Sequence, residues 1–324
     1  MSAVPGSPAL QAASPYPRLR HRPAPPPADP PLGTLEDLHQ FVQRHRRLFV
    51  LTGAGCSTES GIPDYRDVNG EWKRQTPVEI TPFMRDPAMR SRYWARSLVG
   101  WRSFGAATPN AAHHSLAALE RAGHLSLLVT QNVDGLHQAA GSRRVVDLHG
   151  RLDRVGCTTC HHIARRDDWQ RRLQDVNASW TALDAPVAPD GDADLDGVDF
   201  TGFRVPGCPR CGGIVKPDVV FFGEGVPPQR HARASAALCE SDAVLVAGSS
   251  LMVHSGYRHV AAAARLGKPV AAVNLGRTRA DSLFALKVEA AVGTTLTQLV
   301  ARSAGQPGRP TAHADDPPAI SPPT

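Results

Sequence analysis

The sequence predicts an α/β protein built on a parallel sheet with helices on both faces and broken by two insertions. Three observations carry this. Short apolar runs alternate with helix-length stretches along most of the 324 residues. A glycine pair, Gly53 and Gly55, closes the first run. Four of the six cysteines fall in two C-x-x-C pairs, inside a polar stretch that interrupts the alternation.

Ordered structure is expected from Thr34, which can cap a helix with Asp37 at its third position, while Leu35, Leu38, Phe41 and Val42 form an apolar stripe. Arg47 to Thr52 (RLFVLT) reads as a buried strand running into a phosphate-type turn. Asn110 to Gly123 reads as an alanine-rich helix with an Asn cap and a terminal glycine, followed by a strand over Leu125 to Thr130. Val145, Val146 and Leu148 suggest another strand. Then come strand-like Val219 to Phe222, a helix ending near Cys239 and a strand over Ala243 to Ala247. A helix over Tyr257 to Leu266 and a strand over Pro269 to Asn274 complete the series. Residues 70–109 carry Trp72, Tyr93, Trp94 and Trp101 among arginines and prolines and look like a helical insertion. Residues 151–214 hold both cysteine pairs and look like a separate small module.

The ends are of another character. The first 32 residues contain ten prolines, three arginines (Arg18, Arg20, Arg22) and one acid, Asp29. Such a stretch buries too little apolar surface to offset its ordering entropy, so residues 1–33 are expected to form a disordered leader. A transit peptide needs an amphipathic helix, which Pro23, Pro25, Pro26 and Pro27 would break. Residues 305–324, rich in Pro and Ala, are expected to be a loose tail. No run approaches the roughly 20 apolar residues that span a bilayer, and a cytoplasmic, monomeric protein off the membrane is expected. The net charge of +6 is not accompanied by a Lys/Arg run interleaved with aromatics, which argues against direct nucleic-acid binding.

Glycines at Gly53-Ala54-Gly55 let backbone N–H groups approach a pyrophosphate, although such a turn by itself also fits a ligand-free loop. A dehydrogenase would continue into a helix and a second strand ending in an acid; Cys56 to Gln75 is instead polar, which argues against hydride transfer. Cys157-x-x-Cys160 and Cys208-x-x-Cys211 enclose 47 residues and suit tetrahedral zinc. With sulfur at all four positions, no site is left for water, so the metal is expected to be structural. Cys56 and Cys239, isolated, are expected to be buried or incidental thiols. Asp192, Asp194, Asp196 and Gly197 match the opening of a calcium loop, but its twelfth position is Phe203 where a bidentate Glu is required. A solvated acidic loop is expected there. His149 follows a strand, the place where α/β enzymes bind ligands, and its intrinsic pKa near 6.5 suits a general base. Gln131-Asn132-Val133-Asp134 closes the preceding strand and offers amide and carboxylate groups to a carboxamide such as nicotinamide.

From about residue 35 to 300 these motifs resemble, in order, those of the sirtuins. They are Gly53-Ala54-Gly55-Cys56-Ser57, Gly61-Ile62-Pro63-Asp64-Tyr65-Arg66, Thr130-Gln131-Asn132-Val133-Asp134-Gly135, His149-Gly150 and the cysteine pairs. Lys216 to Glu224 (KPDVVFFGE), Gly248-Ser249-Ser250-Leu251 and Val273-Asn274 follow. The resemblance implies a Rossmann-like domain (34–69, 110–150 and 215–304), a smaller domain made of the helical insertion and the zinc module, and a cleft between them. It implies NAD with its pyrophosphate on the Gly53 loop, including Cys56 and Ser57, and its nicotinamide near Ile62 to Arg66, Gln131, Asn132, Val133 and Asp134. The adenosine end would lie near Gly248, Ser249, Ser250, Asn274, Leu275, Gly276 and Val292. In the family's reaction an acyl-lysine oxygen attacks the nicotinamide ribose, nicotinamide leaves and an alkylimidate forms. His149 would then act as base on a ribose hydroxyl, which attacks the imidate carbon, and water finishes the reaction, giving free lysine and O-acyl-ADP-ribose. Acyl-lysine protein or peptide would enter beside Gly223 and Glu224, with Val220 and Phe221 along the acyl tunnel. Protein ADP-ribosyl transfer and a non-catalytic NAD-sensing zinc-ribbon module are the alternatives.

Some positions depart from the commonest sirtuin form. Tyr65 stands where many members have Phe, and Tyr93 to Trp101 with Asn274-Leu275-Gly276 looks like the class II branch. Met252-Val253-His254-Ser255-Gly256 lacks the proline often found after the leucine. Members that prefer succinyl or malonyl lysine carry a Tyr-x-x-Arg pair, and the matching positions here are Ser97 and Gly100. Uncharged acyl chains are therefore expected to be preferred.

Overall fold

The computed structural model describes residues 29–73, 78–186 and 188–304. In chain order its elements are α1 (Leu35–Arg44), β1 (Leu48–Thr52), α2 (Ile80–Arg85), α3 (Pro87–Phe104), α4 (Ala111–Arg121), β2 (Leu125–Thr130) and α5 (Leu136–Ala139). Then follow β3 (Val145–Asp147), β4 (Gly150–Cys157), β5 (Ile163–Arg165), α6 (Arg166–Val176), β6 (Val215–Val219), α7 (Pro228–Glu240) and β7 (Ala243–Ala247). α8 (His254–Arg265), β8 (Val270–Val273), β9 (Leu286–Val288) and α9 (Val292–Ala304) complete the chain.

Six strands form one parallel sheet in the order β3-β2-β1-β7-β8-β9. All five residues of β1 are buried, as a central strand covered on both faces requires. Its side chains alternate: Leu48 and Val50 join a core with α1, α4 and α9, while Phe49 and Leu51 join another with α7 and α8. α1 starts as expected, with Thr34 Oγ1 accepting from Asp37 N at 3.3 Å and the Asp37 carboxylate accepting from Thr34 N at 2.8 Å. The ordered chain reaches further back than Thr34, since Lys287 N donates to Pro31 O at 2.8 Å and Leu32 bridges to Lys287 beside β9. The rest of the expected leader, to residue 28, and the expected tail lie outside the described residues.

The second sheet is antiparallel, in the order β5-β4-β6. It corrects one expectation. The strand anticipated over Val219 to Phe222 is instead Val215–Val219, paired with β4 in the small sheet; its buried residues alternate, Val215, Pro217, Val219, as a one-sided strand demands. The cysteine module packs against the helical insertion. Phe83, Tyr93, Trp94 and Leu98 share one core with Val155, Trp169 and Leu173. The middle of α3, from Tyr93 to Gly100, is enclosed on nearly every side, and truncation of its fully buried Trp94 would cost about 3–5 kcal/mol.

The acidic stretch near residue 190 is the second correction. Asp192 is 1% exposed, not solvated. Arg96 Nε donates to Ala193 O at 2.8 Å and Ala193 N to Arg96 O at 2.9 Å, fastening the loop to α3. Gly100 makes room for it, because a Cβ there would lie 2.2 Å from Gly191 O. Burial pushes the Asp192 carboxyl well above its usual range, with Asp190 adding to the rise.

A candidate active site between the two sheets

β1 and β7 are adjacent, and the connections from them lead to opposite edges of the sheet, so a crevice opens at their carboxyl ends. Gly53 follows β1 and Gly248 follows β7. Gly55 N donates to Gly248 O at 2.9 Å, and a Cβ on Gly53 would sit 2.8 Å from Ser249 Oγ. Gly248 has φ +63° and would bring a Cβ to 2.4 Å from Cys56 N. Side chains at these points would close the crevice.

Above it lies a cavity of about 520 Å³. Of the residues singled out from the sequence, Gly53, Ala54, Gly55, Ser57, Ile62, Pro63, Asp64, Tyr65, Arg66 and Gln131 to Asp134 line it. So do His149, Val220, Phe221, Gly223, Glu224, Gly248, Ser249, Ser250, Asn274, Leu275 and Val292. Cys56 and Gly276 are not on its wall. Cys56 points into the core, where burial raises its thiol pKa and where His113 and His137 lie close to its sulfur. Gly276 instead fastens the loop after β8: its carbonyl accepts from Lys287 Nζ at 2.8 Å.

The polar floor is fully connected. Ser57 Oγ donates to Asp134 Oδ2 at 2.7 Å, and Asn132 Nδ2 donates to Ser57 Oγ at 2.9 Å and Gly53 O at 3.0 Å. Burial raises the Asp134 carboxyl above its ordinary pKa, against the opposing Leu136 N–H and Ser57 hydroxyl. On the mouth side, Arg66 stacks over Trp72 at 3.9 Å and Phe222 packs edge-on against the same ring. Leu251 holds φ +57°, an unusual conformation for a branched residue, at the turn from β7 toward α8.

His149 occupies the crossing between the sheets. Leu148 N still bonds to Thr130 O on β2, whereas Val220 N donates to His149 O beside β6. Gly150 allows the crossing, since a Cβ there would stand 2.0 Å from Asp218 O and its φ is +86°. The imidazole Nδ1 is 2.9 Å from Gln131 O, an acceptor only, so Nδ1 carries the proton and Nε2 is the free base. Ser255 Oγ lies 2.7 Å from Nε2 and therefore donates to it. Burial lowers the His149 pKa to about 4, opposed by the Gln131 carbonyl and helped by Arg230.

Several cavity residues were not singled out from the sequence for the site. Tyr93 and Phe104 come from α3, Pro189 and Asp190 from the loop fastened to it, and Ser255 from α8. The missing proline near Ser255 is the only mark the sequence leaves there. Ser97 and Gly100, the positions matched to Tyr-x-x-Arg, are both buried away from the cavity: Ser97 O accepts from Arg166 at 3.1 Å and Gly100 faces Gly191.

The four module cysteines meet. Their sulfurs lie within 4.8 Å of one another, with Cys157 and Cys211 at 3.5 Å and Cys160 and Cys208 at 3.7 Å. A tetrahedral Zn–S bond of 2.3 Å gives sulfur separations of about 3.8 Å, so the set fits zinc. The Cys160 N–H, 3.5 Å from Cys157 Sγ, helps to lower the Cys157 thiol to about 6. Gly213 lets the second knuckle close, because a Cβ there would meet Thr159 Oγ1 at 2.5 Å. No helix among the described residues is long and apolar enough to cross a membrane.

Residues 53–255 match the Sir2 family. An NAD-dependent protein deacetylase of Bordetella bronchiseptica is 61% identical over 272 residues, covering 84% of this chain and 99% of that protein. NAD-dependent protein deacetylase 1 of Streptomyces coelicolor is 50% identical over 279 residues, 86% of this chain and 93% of that protein. Among solved structures, a Sir2–p53 peptide–NAD+ complex superposes with a TM-score of 0.66 at 28% identity, covering 84% of this chain and 99% of that one. A structure describing the mechanism and regulation of Sir2 enzymes gives 0.65 at 30% identity, covering 83% and 97%. With the parallel sheet, the cysteine set and these matches in hand, the chain belongs to the Sir2 family.

Proposed function

We propose that this protein is an NAD-dependent protein-lysine deacetylase whose proton-transferring base is His149. The observation that carries this is the placing of His149: its unprotonated ring nitrogen belongs to a residue on the same cavity as the Gly53 turn and the Asn132–Asp134 floor. The backbone of Gly53 to Gly55 suits a pyrophosphate, because glycine keeps N–H groups accessible to phosphate oxygens. Asn132, Asp134 and Ile62 would hold the carboxamide of nicotinamide, and Ser249, Ser250, Asn274 and Leu275 the adenosine end. When bound, NAD supplies a ribose carbon activated by a cationic leaving group. His149 takes a proton from a ribose hydroxyl at Nε2, while Gln131 O keeps Nδ1 protonated.

The acyl-lysine segment would enter between Gly223-Glu224 and the stretch after Leu251, with its acyl chain toward Phe221 and Tyr93. Ser97 and Gly100 lie off the cavity wall; Tyr93 lines it, and Arg96, three positions on, is off the wall with its Nε turned to Ala193 O at 2.8 Å, which supports a preference for uncharged acyl groups. Zinc would be held by the four module cysteines and would staple β4 to the turn before β6. Thiolate ligands persist in a reducing compartment, which favours the cytoplasm.

Incubation of the purified chain with NAD and an acetyl-lysine peptide tests the activity. Nicotinamide, free lysine peptide and O-acetyl-ADP-ribose should form in equal amounts, and His149→Ala should reduce their rate by about 10²–10⁴-fold with its circular dichroism unchanged. ADP-ribose appearing on protein in a His149-dependent manner, without loss of acetyl groups, would show a transferase instead.

A further inference from the structure

We propose that Ser255 is a positioning residue for His149, aiming Nε2 into the cavity and holding its lone pair until a ribose hydroxyl of the co-substrate replaces the serine hydroxyl. The inference rests on the deacetylase reading and comes from hydrogen-bond accounting. Gln131 O can only accept, so His149 Nδ1 is protonated; Nε2 can then only accept, and Ser255 Oγ, 2.7 Å away, is its donor. Among the described residues this is the one hydrogen bond found for that hydroxyl. The imidazole is thus held at both nitrogens, which fixes its ring plane and its tautomer before substrate arrives.

The fold brings Ser255 there by a close approach. Gly256, next in α8, is buried, and a Cβ on it would lie 2.5 Å from Gln131 Nε2. The Gln131 side chain is itself tied down, its Oε1 accepting from Ser249 Oγ at 2.6 Å. Gln131 therefore fixes His149 through its carbonyl and receives the first turn of α8 against its amide. A proline at this position would have no hydroxyl to offer.

A residue that sets the ring's orientation before the ribose hydroxyl arrives affects the step that uses the base and spares the steps before it. Labelled nicotinamide exchange into NAD, in the presence of acetyl peptide, reads the chemistry that precedes proton transfer to His149; O-acetyl-ADP-ribose formation reads the later steps as well. Ser255→Ala, a change that favours helix, should lower kcat for O-acetyl-ADP-ribose formation roughly tenfold, as the loss of one hydrogen bond implies. Nicotinamide exchange and KM for NAD should stay within about twofold, a range too small to be the loss of a hydrogen bond. Ser255→Thr, which keeps the hydroxyl, should recover most of the rate. Equal loss of exchange and product formation, an unchanged kcat in Ser255→Ala, or no recovery by Thr would each overturn the proposal. Wild-type protein inactive in both assays would instead remove the deacetylase reading on which it rests.

Discussion

If His149 must be neutral to accept a proton, the pH at which activity fails reports its surroundings. A histidine at its ordinary pKa of about 6.5 would be only about one-tenth neutral at pH 5.5. Burial lowers His149 to about 4, so at pH 5.5 nearly all of it remains neutral. The difference is roughly tenfold in active base, and the acid limb of kcat/KM, which follows the free enzyme, should fall near pH 4. The same shift acts on folding. The unfolded chain takes up the proton first, so the stability attached to this group is whole above about pH 6.5, declines as pH falls and is gone below about 4. The full amount is at most about 3 kcal/mol. Tryptophan fluorescence recorded alongside initial rates from about pH 3 to 8.5 separates the two effects. An acid limb near 6.5 with the protein still folded would refute the argument that burial sets this base.

Three further outcomes are expected. Cys157→Ser, or chelation, should release one zinc per chain and unfold the β4–β5–β6 sheet, since structural sites supply on the order of 10–16 kcal/mol; active protein that contains no zinc by metal analysis would disprove it. Gly100→Ala should destabilise the fold by about 1–3 kcal/mol and lower activity, because the displaced Gly191 loop also carries Pro189 and Asp190 to the cavity; thermal melts and rates check both. One peptide carried as acetyl, long-chain acyl and succinyl forms should show higher kcat/KM for the uncharged chains, and a succinyl preference would overturn the argument that Arg96 is held away from the cavity by Ala193.

Much of the fold was legible because its signals are local. RLFVLT reads as a buried strand and Thr34 with Asp37 as a capping box from residue types alone, and both stand in the structure. The two cysteine pairs were legible as one ligand set because thiols at knuckle spacing have few other uses. The strand over Val215–Val219 was missed because VVFF, the more apolar run beside it, competes for the same assignment; pairing with β4 decided the matter. The acidic loop misled for a similar reason. Charge predicts exposure when a segment is considered alone, yet here the backbone of Ala193 is held by Arg96, 97 positions earlier, and Asp192 is carried inside.

What the sequence by itself determines is the chemistry available: a glycine turn after a strand, four sulfur ligands, a histidine at a strand end, all readable from short-range geometry and spacing. Only the tertiary structure decides which of those groups meet. His149 and Ser255 are 106 positions apart, and no periodicity or propensity connects them. Their contact exists because Gly150 lets the chain pass from one sheet to the other and Gly256 lets α8 close on Gln131. A contact of that kind depends on packing summed over the whole core, which no local window of sequence contains.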